Sequence, residues 1–562
     1  MMKSEGEPLE SPTLETHELD QPIGLRTLAP GRLVMVIVAT MLGMLLSALD
    51  QTVVGTAMPR IVADLNGLQH YAWVFTAYML TSTATVPLYG RLSDVYGRKP
   101  FFAIGLSLFL VGSFLSGHSH TMAQLIIFRG IQGLGAGAMM PVMQSIIGDV
   151  FPPAERGKWQ GLMMAVFGLA TIVGPTLGGW ITDNWGWQWV FYVNLPVGLL
   201  AIIVGLLAIP AQARRQQHAI DYGGAAMLLA AAVPMLLAFS WAGTEYAWKS
   251  AQIIGLFAFS AVMWVVFFVA EGRAAEPIIS PSLFRENIFT VSVIASFVIS
   301  AGMFGAIMYL PLFVQGVIGT TATNSGAVMT PMMLGFMASS IIGGLLLSRT
   351  GRYRIISLVG FVIAIFGMYL NARMTVNATN AIVIRNMIIT GLGLGVQMSL
   401  FTIVVQNAFP FKRLGEVTAS LQFFRSVGGT IGVAVLGTLM TNHFNSALQA
   451  NLPATLVGAA GDKLALLENP QILLAPQATA QIQQAFAQFG PQGMALFKQL
   501  MEAIRQSLAT SITGLFMVGI VFLIAGFVVT VFIREIPLRR SHHTPEAAVE
   551  AETPAAAPSQ AE

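Results

Sequence analysis

The segment Gly90-Arg-Leu-Ser-Asp-Val-Tyr-Gly-Arg-Lys99 occurs twice in this chain, the second time in altered form. Its second copy, Gly344-Leu-Leu-Leu-Ser-Arg-Thr-Gly-Arg-Tyr-Arg354, lies 254 positions further on. Another pair of related segments, Gly133-Leu-Gly-Ala-Gly137 and Gly391-Leu-Gly-Leu-Gly395, is offset by 258 positions. Two separate offsets that agree within a few residues indicate an internal repeat, and therefore a chain built from two related halves.

Composition indicates what surrounds these halves. Of the 562 residues, 55% are hydrophobic and only 10% are charged, and the mean hydropathy is +0.70. An average soluble domain has about 25% charged residues, so this composition is typical of a protein embedded in a lipid bilayer. The net charge of +3 is too small to indicate a nucleic-acid partner. Because the chain has no cysteine, it has no disulfide, thiolate metal site or cysteine nucleophile.

Fourteen segments are apolar enough, over about 20 residues, to cross a bilayer as helices. They are 33–58, 72–90, 101–117, 123–148, 160–182, 189–209, 222–242, 252–270, 288–314, 327–347, 355–371, 382–409, 416–440 and 509–533. The repeated motifs relate segments two and four to segments ten and twelve. The sequence therefore predicts an all-α membrane protein with fourteen transmembrane helices, arranged as two six-helix halves and two inserted helices.

Lys and Arg are distributed unevenly between the connections. The side that carries the termini has 20 of the 29 Lys and Arg residues, the opposite side has 6, and 3 lie within segments. Cytoplasmic connections are enriched in Lys and Arg. We therefore expect a multi-pass protein of the cell (plasma or inner) membrane with both termini in the cytoplasm.

These segments divide the chain into consecutive parts. We expect a cytoplasmic N-terminal tail (1–32), the first six-helix half (33–209), two inserted helices (210–271), the second half (272–540) and a disordered cytoplasmic tail (541–562). The second half contains an external loop, 441–508, in which Leu496, Leu500 and Ile504 are spaced four apart. This spacing predicts an amphipathic helix, either in the outer membrane interface or as a cap over the helix ends.

Four motifs together resemble the major facilitator superfamily, and within it the fourteen-span drug:proton antiporters. They are residues 49–59 (Leu-Asp-Gln-Thr-Val-Val-Gly-Thr-Ala-Met-Pro), 90–99, 129–137 (Arg-Gly-Ile-Gln-Gly-Leu-Gly-Ala-Gly) and 174–179 (Gly-Pro-Thr-Leu-Gly-Gly). The last motif is similar to the antiporter signature of exporters. The resemblance implies transport by alternating access, with the proton gradient as energy source. One departure is Ser348, which stands where the first copy of the loop has Asp94.

Asp50 and Arg129 are the residues predicted to couple transport to protons. Asp50 lies 18 residues after Arg32, and Arg129 lies 20 residues before Asp149. At about 1.5 Å per residue, both are then about 27–30 Å from the cytoplasmic edge. An ionisable group this deep is costly unless paired and marks a functional site by default. The alternative is a static structural ion pair.

An inner gate is predicted at the loop after the second segment, over Gly90, Asp94, Gly97, Arg98 and Lys99. The Asp94 carboxylate can meet a helix N-terminus or a neighbouring basic side chain and hold the inner mouth closed. The alternative is the ordinary positive charge of a cytoplasmic loop.

Small residues in the fourth and fifth segments predict close helix packing. Gly133 and Gly137, like Gly174 and Gly178, are four residues apart, which lets two helices approach each other closely. Pro175 is expected to kink its helix. The combination predicts a packing contact that also serves as a hinge.

Aromatic and polar side chains predict a substrate pocket that accepts varied compounds. The candidates are Tyr78, Gln132, Phe304, Tyr309, Gln397, Phe401, Gln422, Phe423 and Arg425. Arg425 is 12 residues after Arg413, about 18 Å deep, and either faces a cavity or satisfies backbone carbonyls. For each aromatic residue the alternative is lipid-facing or core packing.

We therefore expect a proton-coupled antiporter that exports amphiphilic, cationic drugs or toxic compounds by alternating access. Its partners would be small substrates, protons and the lipid bilayer, and it would work as a monomer without cofactor, metal or nucleic acid. The alternative is a transporter of a defined metabolite, lipid or siderophore, either proton-coupled or passive. The sequence has no His-Glu-x-x-His motif and no nucleotide-binding loop, so neither an intramembrane enzyme nor an ATP-driven pump is expected.

Overall fold

The structure, a computed structural model, describes part of the chain and leaves both tails out. The described residues are 28–65, 71–210, 221–243, 245–274, 277–319, 322–410, 413–452, 483–484, 486–488 and 490–538. The predictions for most of 1–32, for 541–562 and for the middle of the loop 441–508 lie outside these residues.

Long helices make up almost all of the described chain. We number fourteen of them α1 to α14, and α6 consists of two helical pieces, Trp189–Tyr192 and Asn194–Ala208, separated by Val193. The others are α1 (Pro30–Leu65), α2 (Tyr71–Tyr96), α3 (Arg98–Gly117), α4 (Met122–Val150), α5 (Pro153–Asn184), α7 (Tyr222–Trp241), α8 (Ala251–Glu271), α9 (Asn287–Leu312), α10 (Ala322–Thr350), α11 (Tyr353–Ala372), α12 (Asn380–Ala408), α13 (Leu414–Asn451) and α14 (Gly490–Val531). Each corresponds in order to one of the fourteen predicted segments.

Twelve of the helices in the described part are long and apolar enough to cross a membrane. The two that fall short of this test are α2 and α9. Helix α2 is rich in hydroxyl side chains and ends in the charged residues Arg91 and Asp94. In α9 the side chains of residues 304–308 lie outside the described residues, and the described part before them is the shorter apolar helix Asn287–Met303. The chain is therefore an all-helical, multi-pass membrane protein.

The two halves pack their helices in the same order. In the first half α1 packs on α5 and α6, and α4 packs on α2 and α3. In the second half α9 packs on α13 and α14, and α12 packs on α10 and α11. Equivalent helices thus make equivalent contacts, as the two sequence offsets require. The halves meet through α2 against α13 and α5 against α10.

The inserted helices lie at the side of this bundle. Helix α7 packs on α8 and also contacts α2 and α13, one helix from each half. Two hydrogen bonds add to this contact. They join the hydroxyls of Thr76 and Ser240 at 3.1 Å, and Nε1 of Trp248 to Oγ1 of Thr438 at 2.8 Å. The insertion therefore spans the seam between the halves on one side.

We call the end of the bundle that carries residues 90–99 the gate end, and here the two halves are in contact. A Cβ atom added to Gly157 on α5 would lie 2.8 Å from the carbonyl carbon of Gly344 on α10. A Cβ atom added to Gly90 on α2 would lie 2.7 Å from the carbonyl oxygen of Gly415 on α13. Both seams are thus closed at backbone distance, which glycine alone permits.

The external loop predicted over 441–508 needs correction. Helix α13 continues to Asn451 and α14 begins at Gly490, because backbone hydrogen bonding continues where the hydropathy of the sequence falls. Leu500 and Ile504 are buried in the bundle as part of α14. Arg505 donates to the carbonyl oxygens of Val317 at 2.5 Å and Val376 at 2.9 Å. This stretch is therefore a packed extension of the last helix and not a separate helix in the membrane interface.

Candidate functional site

A buried ion pair joins α1 to α4. Nη1 of Arg129 lies 2.7 Å from Oδ2 of Asp50, and both residues are only 1% exposed. The same guanidinium nitrogen donates to Oε1 of Gln132 at 2.8 Å, and Nε2 of Gln132 donates to Oδ1 of Asp50 at 2.8 Å. The three side chains form a closed ring of hydrogen bonds, so the depths estimated from the sequence do bring Asp50 and Arg129 together.

A second layer of polar groups extends this network to α3 and α6. Nδ2 of Asn194 donates to Oδ1 of Asp50 at 3.2 Å and to Oγ of Ser113 at 3.0 Å. The Ser113 hydroxyl in turn donates to the carbonyl oxygen of Phe191 at 2.8 Å. Asn194 begins the second piece of α6, where the helix is interrupted at Val193. Asp50 is thus bonded to α4 and α6, and through Asn194 to α3.

An aromatic ring covers the other face of the arginine. The guanidinium carbon of Arg129 lies 4.2 Å from the centroid of Tyr78 on α2, within the range of a cation–π contact. Nε of Arg129 is buried without a hydrogen-bond partner. The ring of Phe191 lies 5.9 Å from the same carbon, so the arginine is held by one carboxylate, one amide and two rings, and it keeps an unused donor.

The charges of Asp50 and Arg129 depend on each other. The Asp50 carboxylate is stabilised by Arg129 and by two amide donors. Loss of either charge would leave the other uncompensated in a dry site, which favours a rearrangement of the helices that carry them. That this pair couples transport to protons stays a prediction.

The predicted gate residue Asp94 bridges the two halves. Its Oδ1 and Oδ2 accept hydrogen bonds from the backbone nitrogens of Gly415 at 2.9 Å and Glu416 at 2.7 Å. These are unpaired donors of the first turn of α13, where the helix dipole favours a negative charge. Nη1 of Arg98 lies 2.6 Å from Oδ1 of the same carboxylate. The helix terminus and the basic neighbour that the sequence offered as alternatives are both present.

Arg98 also contacts a second acid on α4. Its Nε donates to Oδ2 of Asp149 at 2.9 Å, and its Nη1 donates to Oγ of Ser93 at 2.8 Å. Gly97, which precedes it, has φ of 93°, a left-handed conformation that favours glycine. Gly351 at the same position of the second copy has φ of 67°, so both motif glycines serve the same turn.

Glu416 forms the second acidic centre of the gate end. Its carboxylate accepts from Nε of Arg413 at 2.9 Å and from the backbone nitrogen of Ser280 at 3.0 Å, and Nη1 of Arg91 lies 3.7 Å away. Hydrogen bonding to Glu416 raises the pKa of Arg413, so Arg413 stays charged. Lys99 lies half-buried at the start of α3. The gate end is therefore a network of alternating charges across the α2–α13 seam.

Replacing Asp94 with Asn tests whether this contact holds the seam closed. An amide keeps one acceptor but loses the charge that stabilises the N-terminus of α13, a change worth about 1–2 kcal/mol. We expect the open population of the gate end to rise roughly tenfold. The natural chain has no cysteine, so Ser420→Cys, a buried and nearly isosteric substitution just beyond the gate, reports opening through its rate of maleimide labelling.

Ser348→Ala is the matched control for Asp94→Asn. Ser348 occupies the equivalent position of the second half and bonds only within its own helix, to the carbonyl oxygen of Leu345 at 2.8 Å. It should leave the labelling rate unchanged. Equal labelling in Asp94→Asn and the control would mean that Asp94 is ordinary surface charge.

The predicted glycine contacts are present. A Cβ atom added to Gly133 would lie 2.5 Å from the carbonyl oxygen of Tyr78, and one added to Gly178 would lie 2.8 Å from that of Val53. Gly137 meets the carbonyl oxygen of Ser82 in the same way, and Gly174 meets the side chain of Thr52. The glycines thus pack α4 on α2 and α5 on α1, with Pro175 inside α5. That these residues act as a hinge stays a prediction.

The residues predicted to line a pocket are dispersed. Tyr78 and Gln132 belong to the Asp50 site. The prediction that Gln397 lines a pocket needs correction, because its amide is bonded to Ser357 on α11 by two hydrogen bonds of 2.6 and 2.7 Å. Phe401 is buried in the core, and Phe423 needs the same correction because its ring packs against Trp264 of α8, with centroids 6.0 Å apart.

Four further candidates remain. Tyr309 is half-buried on α9, and the side chain of Phe304 lies outside the described residues. Arg425 is 3% exposed and donates from Nη2 to the carbonyl oxygen of Met398 at 3.2 Å, which is the carbonyl contact that the sequence allowed. Its Nη1 is 3.4 Å from Oε1 of Gln422, which is partly exposed.

Sequence reasoning missed Asn194, Asp149 and Glu416 as site residues. Asn194 follows a tryptophan-rich segment and Glu416 opens a helix, so neither stands out by itself. Asp149 could have been noticed as an acid at the end of the motif-bearing α4, but its partner Arg98 lies 51 positions earlier. Gln406 was missed too, although it accepts from Nη1 of Arg156 at 3.2 Å and so joins α5 to α12 across the halves.

A bundle of two equivalent six-helix halves, with a buried charge pair in one half and a charged seam between them, defines a secondary transporter. The chain belongs to the Major Facilitator Superfamily, whose family model matches residues 40–433. Members of this family are transporters and not enzymes.

Relatives and solved structures agree with this assignment. The chain is 40% identical over 519 residues to the multidrug transporter protein MdtP of Bacillus subtilis (strain 168), covering 90% of this chain and 93% of the relative. It is 37% identical to multidrug resistance protein 3 of the same organism, covering 88% and 94%. The crystal structure of the human organic anion transporter MFSD10 (TETRAN) is similar in fold, with 14% identity and a TM-score of 0.56, covering 88% of this chain and 100% of that structure.

Proposed function

We propose that this protein is a proton-coupled antiporter that exports small amphiphilic compounds, including drugs, by alternating access. The observation that carries the proposal is the buried Asp50–Arg129 pair, whose partners Gln132 and Asn194 tie the proton site to α4 and α6. The names of the two Bacillus relatives support drug export as the task. The proton gradient is the energy source, and no cofactor takes part.

The arrangement of the halves supports an outward-facing state. The α2–α13 seam is held by Asp94, and the α5–α10 seam is held by the approach of Gly157 to Gly344, both at the gate end. In this state a proton reaches Asp50 from outside and breaks its pair with Arg129. The gate end then opens, the proton leaves to the cytoplasm, and the restored pair prepares the protein for the next substrate.

The finer topology is also part of the proposal. All fourteen helices cross the membrane, including α2 and α9, and the gate end with both termini faces the cytoplasm. The halves comprise residues 33–209 and 272–540, with the helices of 210–271 inserted between them. The protein works as a monomer in the plasma or inner membrane, because each chain holds a complete proton site and gate.

Epitope tags test this topology directly. Because Lys and Arg favour the side of the termini by 20 to 6, tags at both ends and within 210–221 should be reached only from the cytoplasm. A tag between 453 and 482 should be reached only from outside. Protease protection in right-side-out and inside-out vesicles measures both. Cleavage at 453–482 from the cytoplasmic face alone would contradict the orientation.

Export itself is tested by expression in a cell from which the resident drug pumps have been deleted. The expected result is raised resistance to several chemically unrelated amphiphilic compounds, lost when a protonophore collapses the gradient. Resistance or transport confined to one metabolite, lipid or siderophore would instead support the alternative of a dedicated transporter.

A further inference from the structure

Arg425 is a buried cation whose charge is not balanced. It lies on α13, and the described residues place no carboxylate within ion-pair distance of it. Its guanidinium makes only long contacts with neutral groups: Gln422 at 3.4 Å, the Met398 carbonyl at 3.2 Å and the Thr402 hydroxyl at 3.5 Å. Its Nε is buried without a hydrogen-bond partner. A charged side chain inside a membrane protein is costly unless it is paired, so a bound anion would stabilise this one.

The position of Arg425 places that charge at mid-depth. It is the twelfth residue of α13, about 17 Å from the helix N-terminus that Asp94 covers. Half of a bilayer core is about 15 Å. On the same helix, Gln422, Ser426 and Thr430 recur every four residues and are partly exposed. A polar stripe at this depth is typical of a helix that lines a water-filled cavity.

The other deep charges cancel each other. Both oxygens of Asp50 are occupied, one by Arg129 and the other by Gln132 and Asn194. The sequence analysis expected cationic substrates, but Asp50, the deep acid of the first half, is already neutralised by Arg129. Asp50 and Arg129 sum to zero, so Arg425 leaves the described deep part of the bundle with a net positive charge.

We propose that Arg425 is a substrate-binding residue that receives an anionic group, and that the preferred substrates are amphiphiles carrying a carboxylate. A guanidinium binds a carboxylate through two parallel charged hydrogen bonds, and the free Nε and the weakly used Nη atoms of Arg425 supply such a pair. The aliphatic or aromatic body of the compound would remain in the apolar interior. This inference rests on the proposed export function and adds the charge of the cargo.

The anion site and the proton site lie on different halves. Asp50 and Arg129 are on α1 and α4, whereas Arg425 is on α13. Substrate and proton therefore do not compete for one carboxylate. Their binding is coupled instead through the conformation of the helix bundle, because α13 is also the helix that Asp94 holds at the gate end.

The test uses pairs of fluorescent amphiphiles that differ only in charge, such as dansylaminoundecanoic acid and its primary amide, within a panel of such acid and amide pairs. Equilibrium binding to the purified full chain in nanodiscs should favour the acids at least tenfold. Arg425→Gln should abolish that preference, and Arg425→Lys should retain part of it because it keeps the charge but not the two-pronged geometry.

Arg385→Gln is the matched control, since Arg385 is an exposed arginine on α12 that bonds only its neighbour Asn386 at 3.0 and 3.2 Å. It should leave the preference for acids intact. Equal binding of acids and amides by the natural protein, absence of binding by every acid, or a preference that survives Arg425→Gln would each overturn the assignment. If gradient-driven export of other compounds persists in that case, the export function stands without it; if no compound is exported, the export function itself has failed.

Discussion

Asp50→Asn should abolish gradient-driven export while leaving a folded protein. The amide has the same shape as the carboxylate, but it cannot bind and release a proton. The pH gradient can therefore no longer drive the conformational change of the bundle. Each proton carried down a gradient of one pH unit supplies about 1.4 kcal/mol, enough for about a tenfold substrate gradient. In proteoliposomes with such a gradient, the natural protein should accumulate substrate, and Asp50→Asn should reach only the ratio of simple equilibration.

The control for this substitution is Asp183→Asn, which makes the same chemical change at an exposed position near the end of α5. It should transport like the natural protein. Arg129→Ala should be worse than Asp50→Asn, because it strands a carboxylate in a dry site and removes the cation over Tyr78. Full gradient-driven accumulation by Asp50→Asn would place the proton site elsewhere.

Arg98→Leu should give the largest loss of stability among single changes at the gate end. Arg98 is 4% exposed and lies between the carboxylates of Asp94 and Asp149, at 2.6 and 2.9 Å. Removing one member of a buried ion pair costs about 3–5 kcal/mol, and here two acids lose their partner. We expect a clear fall in the thermal unfolding temperature of the purified protein and in its abundance in the membrane.

Two further variants separate charge from packing at Arg98. Arg98→Lys keeps the charge and should recover part of the stability, whereas Arg352→Leu changes the equivalent but exposed arginine of the second half and should have little effect. Adding Asp149→Asn to Arg98→Leu should restore stability in part, because one uncompensated acid is removed. An unfolding temperature of Arg98→Leu equal to that of Arg352→Leu would rule out the charged network as a source of stability.

The fold could be predicted from the sequence because lipid imposes a simple rule. A helix in hydrocarbon needs a long apolar segment, so the fourteen segments match the fourteen described helices in order. The ends of helices were harder to predict. Helix α13 extends to Asn451 and α14 starts at Gly490, because outside the bilayer polar residues are as acceptable in a helix as apolar ones.

The site residues could be predicted where their depth in the membrane determines which side chains meet. They could not be predicted where contacts between the two halves determine it. Counting residues placed Asp50 and Arg129 at one level, and they are paired. Counting residues along a helix cannot show that Glu416 contacts Arg91 and the backbone of Ser280, since those partners lie on other elements. Gln397 resembled a cavity residue because it is polar and deep, yet its amide is hydrogen-bonded to Ser357 of α11.

The departure of the second loop copy from the first also has a structural meaning. Asp94 and Asp149 hold Arg98, but Ser348 and Asn407 stand at the corresponding positions of the second half. The second half uses the segment after α14 instead, since Nδ2 of Asn407 donates to the carbonyl oxygen of Pro537 at 3.1 Å. Among the described residues, the Asp94–Arg98–Asp149 arrangement therefore belongs to the first half and has no counterpart at the equivalent positions of the second half.

Proton movement driven by substrate tests the exchange of proton for substrate most directly. Purified protein is placed in vesicles that contain a pH-sensitive dye, and a substrate gradient is imposed without any pH gradient. Substrate leaving the vesicles should drive protons in, and Asp50→Asn should give no proton movement above that of empty vesicles. Protons moving in the same direction as the substrate, or equal proton movement in Asp50→Asn, would contradict the account.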